Sequence, residues 1–90
     1  MTPVNEAVPG KLYRVDFFDL DEAESQVITK LYRQVAMFLS FTTIPRRMEY
    51  GVMKFLHEGD IVSFKHMTSR VCLEELTEEE EESWWSTQTP

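Results

Sequence analysis

Ninety residues suffice for one small domain and leave no room for a second. Hydrophobic residues make up 42% of the chain, enough for a core, and the formal charge is −7. No apolar run of about 18 residues is present, so no membrane span is expected; the start, MTPVNEAVPG, has no basic, apolar leader.

The charge is uneven. Residues 77–90 hold five acids, Glu78 to Glu82, and no bases, while residues 1–76 hold nine bases against eleven acids, hence −2. A nearly neutral body carries an acidic tail. Affinity for nucleic acid comes from clustered Lys and Arg, so this balance does not favour a nucleic-acid partner. The single Cys72 cannot close an internal disulfide, which fits a reducing, cytoplasmic setting.

Residues 1–10, with Pro3, Pro9 and Gly10, read as an irregular lead-in. Lys11 to Phe18 alternates: Tyr13, Val15 and Phe17 fall on one face, Arg14 and Asp16 on the other. This is a strand with one solvated face. Residues 19–34 remain open between a short helix and a loop. Asp21 followed by Glu24 has the form of a helix N-cap, and Leu20, Ala23, Val27 and Leu31 recur at helical spacing. Val27, Ile28 and Thr29 are β-branched and argue for strand.

Val35 to Thr43 returns to period two, with Val35, Met37, Leu39 and Phe41 as the expected core face. Pro45 interrupts it, since proline cannot donate to a ladder. Tyr50 to Lys65 reads as a β-hairpin turning at Glu58-Gly59, where a tight turn needs positive φ. Pairing Leu56 with Ile61 sets Phe55 against Val62, Lys54 against Ser63 and Met53 against Phe64. Met53, Phe55, Val62 and Phe64 then share an apolar face. Leu56 and Ile61 are left on the outer face, either covered or exposed as a contact patch. If 35–43 pairs with 50–56, then Met37, Leu39 and Phe41 join Met53 and Phe55. A turn at 66–69 leads to a last strand, 70–76, with Val71 and Leu73 turned one way and Cys72 and Glu74 the other. Five glutamates in a row repel one another and tend to stay solvated and disordered, which is the first expectation for the tail. A helix from Thr77 remains open, because Thr77 and Glu80 have capping-box spacing.

The expected organisation is a lead-in (1–10), a barrel domain (11–76) and an acidic tail (77–90). The fold class is all-β, with or without one short helix. The run KLYRVDFF, QVAMFLSF, YGVMKFL, GDIVSF and VCLEEL, with HMTS before the last, resembles the small SH3-like barrels of about five strands. It is similar also to short barrel proteins of phages. The peptide-binding SH3 domains carry an ALYDY-type motif that has no clear equivalent here, and fold alone does not give function.

No motif for chemistry stands out. His57, His66 and Cys72 lack the paired spacing of a metal site, and nothing near Cys72 supports a nucleophile. No cofactor and no enzymatic activity are expected. Arg46 and Arg47 beside Tyr50 form the one local basic cluster with an aromatic neighbour; phosphate or nucleic-acid contact is one reading of it, and a solvated loop tip is the leading one, because two arginines make a weak electrostatic footprint. Trp84 and Trp85 are large apolar rings beyond an acidic run. They either fold back, over Leu56 and Ile61, or dock on a partner or a second copy. The reading is a small binding module that takes a protein partner or self-associates. The alternatives are an acidic inhibitor of a nucleic-acid-binding protein and a self-assembling structural subunit.

Overall fold

The computed structural model describes residues 1–88. The chain forms strands β1 (Thr2–Pro3), β2 (Leu12–Phe17), β3 (Val35–Ile44), β4 (Arg47–His57), β5 (Asp60–Met67) and β6 (Val71–Glu75). Helix α1 (Gln26–Leu31) lies between β2 and β3, and α2 (Glu78–Gln88) follows β6. Single 3₁₀ turns occupy Val4–Glu6 and Thr68–Arg70. All strands join one antiparallel sheet in the order β1-β6-β2-β3-β4-β5. The fold is thus a small, mostly antiparallel all-β one.

The β4–β5 hairpin has the expected register: Met53 faces Phe64, Lys54 Ser63, Phe55 Val62 and Leu56 Ile61. Glu58 (φ 51°) and Gly59 (φ 83°) both take the left-handed region, as a two-residue turn matching strand twist demands. Met53, Phe55 and Phe64 are buried and Val62 packs against them.

The sheet is strongly curled. Strands β2 and β5 are three steps apart in the sheet, which spans about 14 Å if flat. Yet the rings of Phe17 on β2 and Phe64 on β5 lie 5.7 Å apart, edge to face. Phe64 stacks on Phe55 at 6.1 Å, and Phe55 meets Phe38 at 5.7 Å. The concave face therefore closes on an aromatic chain that links four strands. Helix α1 packs against β5 and contributes Ile28 and Leu31 to this core.

Strand β3 departs from strict alternation. Phe38 faces Phe55, but Ser40 faces Lys54, so Leu39 is an extra, bulged residue. Before the bulge Ala36 and Phe38 point inward and are buried; after it Phe41 packs on the core. The expected core face is corrected accordingly: Phe41 holds its place, while Val35, Met37 and Leu39 are only half-buried. Inside β4, Gly51 leaves room for the Phe41 ring, which a Cβ there would strike.

The segment 19–34 is a loop running into the short α1. Its N-cap is Ser25, whose Oγ accepts from the Ile28 N–H at 3.3 Å, not Asp21. Asp21 instead accepts from the Ala23 N–H at 3.1 Å and closes a turn. Burial of Ile28 and Leu31 outweighs the weak helix preference of the β-branched run. The lead-in is more ordered than its composition suggests: β1 pairs with β6, Val4 is buried, and the Val8 N–H donates to the Tyr13 Oη at 3.0 Å.

Candidate interaction surface

The convex face of the sheet starts from the same alternation. With Tyr13, Val15 and Phe17 inward, Leu12 and Arg14 point outward. Leu12 faces Met37, Met37 faces Leu56, and Leu56 faces Ile61. One apolar row thus crosses β2, β3, β4 and β5 on the outside. Leu12 is 2% exposed, Met37 and Leu56 are half-buried, and Ile61 is 69% exposed.

The acidic tail is helical and docked on this face. The Glu80 N–H donates to the Thr77 Oγ1, and the Thr77 N–H donates to Glu80 Oε1, both at 3.2 Å. This is the reciprocal capping box that the sequence allowed. Glu78 to Glu81 fill the first turn, where the helix dipole favours negative charge. The second oxygen of Glu80 accepts from Arg14 at 2.7 Å, and Arg14 lies 3.7 Å from Glu74. The hydrogen bond from Arg14, then the Thr77 backbone, hold the Glu80 carboxyl below the usual range; the Glu80 partner pushes Arg14 up. A second pair, Lys11–Glu75 at 2.6 Å, stands nearby and is solvated.

The helix turns Trp84 toward Arg14 of β2 and Val35 of β3. Trp84 lines a groove of about 460 Å³ with Arg14 and Val35. It also lines one of about 270 Å³ with Arg33, His57 and Glu58. Trp84 is half-buried and Trp85 is 47% exposed, with their rings edge to face at 4.9 Å. Trp84 therefore folds back toward Arg14 and Val35, while Trp85, like Leu56 and Ile61, does not line these grooves. The polar end at Thr89 and Pro90 lies outside the described residues.

Arg46, Arg47 and Tyr50 lie at the far tip, where β3 turns into β4. Arg46 adopts φ 67° in the turn. The Arg47 guanidinium sits 4.8 Å from the centroid of the Tyr50 ring and 3.8 Å from Glu49. Ile44, Arg47, Tyr50 and Lys65 line a dent of about 140 Å³. The fold thus brings Leu56 next to Ile61 and Arg47 next to Tyr50, and sets these two groups apart along the outer face.

The remaining reactive side chains are dispersed. His66 points inward, its ring 5.6 Å from Phe17; its Nε2 and the Thr68 Oγ1 are buried without a hydrogen-bond partner among the described residues. Cys72 points outward between Val71 and Leu73, so it and His66 stand on opposite sides of the sheet. Burial, then the charge of Asp16, raise the Cys72 thiol pKa, away from thiolate character. Among the described residues no three His, Cys, Asp or Glu gather as metal ligands, and no helix is long and apolar enough to cross a membrane.

Two contributors escaped the sequence reading. Arg14 anchors the tail, and its outward place in a clean alternation was the available signal. Val35 lines the groove because the bulge turns it outward. No family model, no curated protein and no solved structure matches the chain.

Proposed function

We propose that the chain is a small non-enzymatic binding module that takes a protein partner at the apolar end of its outer face. Leu56 and Ile61 form the contact there. The observation that carries this reading is Ile61: it is 69% exposed at the end of a row whose other end, Leu12, is buried. A branched aliphatic side chain in such a row is an apolar contact that water does not reward. Trp85, also partly exposed, adds a large ring of the kind that dominates interface energetics. The curled sheet with its tight β4–β5 hairpin supports the likeness to SH3-like barrels.

The acidic-inhibitor reading draws less support. Glu80 is engaged by Arg14 and Thr77, and Glu80 and Glu81 are half-buried. The helix therefore does not present five free carboxylates to a basic partner.

The test compares wild type with Ile61→Asp. Both are immobilised and challenged with lysate of the source cell, and sedimentation equilibrium is run on each alone. A protein retained by wild type and reduced at least tenfold by Ile61→Asp is the expected result. Equal retention by both would remove Leu56 and Ile61 from the contact. A dimer that the substitution dissociates would make the partner a second copy.

A further inference from the structure

The sequence offered two arginines and a tyrosine at one loop; the register enlarges that cluster. Outward positions on β4 are Tyr50, Val52, Lys54 and Leu56. Val52 faces Thr42 on β3 and Lys65 on β5, while Lys54 faces Ser40 and Ser63. Lys54 and Lys65 therefore share one sheet face with Tyr50, on adjacent rows about 7 Å apart along the strands. Beyond Glu49 and Met48 come Arg47, at the start of β4, and Arg46, in the turn before it. All four cations are exposed.

Little opposes them locally. Residues 40–56 and 61–67 carry four bases and one acid, Glu49. Glu49 lies 3.8 Å from Arg47, and none of Arg46, Lys54 and Lys65 forms an ion pair among the described residues. The acids that set the net charge lie elsewhere, chiefly in residues 16–24 and in α2.

We propose that this end of the outer face binds single-stranded nucleic acid. The cations meet phosphates, and the hydroxyls of Thr42 and Ser63 stand between them as further donors to phosphate oxygen. Tyr50 and the Arg47 guanidinium beside it offer flat surfaces on which bases stack. An open β-surface with cations around an aromatic suits a flexible strand rather than a duplex, which has no unstacked base to give. A segment of acidic protein would satisfy the cations but leave the stacking surfaces unused. This site does not rest on the protein-partner reading: Lys65 tests one end of the face and Ile61 the other.

The experiment is fluorescence anisotropy of labelled (dT)12 and (rU)12 with the full chain at 50 and 200 mM salt. Saturable binding at micromolar protein is expected at the lower salt. With about four phosphates neutralised, affinity should fall about 50-fold at the higher salt. Lys65→Glu should weaken binding at least fivefold. Lys30→Glu makes the same charge change on the exposed side of α1 and should weaken it less than twofold. Both side chains are solvated, so folding is not at issue, and circular dichroism checks it. The (dT)12 and (rU)12 arms decide between DNA and RNA, and binding of either supports the site. No binding at 50 mM salt, or equal losses in the two variants, would overturn it. Tighter binding of an oligoglutamate peptide than of either oligonucleotide would also overturn it, in favour of an acidic protein segment.

Discussion

The two faces of the one sheet differ in kind. The concave face is apolar almost throughout: Tyr13, Val15, Phe17, Phe38, Met53, Phe55 and Leu73 are all buried, no charged side chain is buried among the described residues, and His66 is the polar ring turned inward. The convex face is graded. It runs from Leu12 and the docked helix, through the half-buried Met37 and Leu56, to the exposed Ile61, with Lys54 and Lys65 toward the tip. A face that only holds the fold can be saturated with apolar contact. A face that meets other molecules keeps area unspent. Substitutions should therefore separate the two, in stability on one side and in binding on the other.

The largest effect is expected at Phe55. It is wholly buried and touches Phe38 and Phe64 across both neighbouring strands. Phe55→Ala should cost about 3–5 kcal/mol in urea unfolding. That rivals the whole stability of a small domain. A cost near that of an outer-face substitution would break the contrast between the faces. Gly51→Ala comes next. Its Cβ would enter the space of the Phe41 ring, which lies on the half-buried part of the core and can shift. A cost of about 1–3 kcal/mol is expected by the same measurement. Phe41→Leu in the same chain should recover part of it, because a smaller side chain vacates that space.

The reach of sequence reading follows the same division. The β4–β5 register was legible because Gly59 pins the turn and a slip of one would bury Lys54. The curl, and with it the aromatic chain, was not, since it depends on strands far apart in sequence. The bulge at Leu39 was hidden for a local reason. Leu39 is as apolar as its neighbours, so VAMFLSFTT alternates equally well in the wrong phase for its first half. Asp21 and Ser25 both carry capping side chains, and only the burial of Ile28 and Leu31 selects Ser25. On the outer face, Leu56, Ile61 and the tip cluster could be named, but not their separation along it. Lys54 and Lys65 follow as outward residues from the same hairpin register. The overall acidity concealed them, because composition averages over the helix and the sheet while a ligand meets only one face.

The smallest effect in stability concerns the tail, where the contrast can be sharpened most. Arg14 joins the outer face to α2 through Glu80. Arg14→Gln should leave the urea midpoint of the core nearly unchanged, since exposed ion pairs add little to global stability. It should alter the tryptophan emission, because Trp84 shares its groove with Arg14. Acid should do the same to wild type. The Glu80 carboxyl is held below its usual pKa by Arg14 and then by the Thr77 backbone. A depressed carboxyl supports the docked state fully above the range of a free glutamate and loses that support as pH falls through the folded-state pKa. Circular dichroism reports helix content and not docking, so it alone would mislead. The informative quantity is the emission maximum against pH, from about 7 to 2. In wild type the transition should lie below the usual glutamate range. In Arg14→Gln it should move up toward that range and shrink, since only the Thr77 hydrogen bonds still favour the ionised carboxyl. Coincident curves for the two proteins would mean that packing of Trp84, and not the ion pair, holds the helix on the sheet.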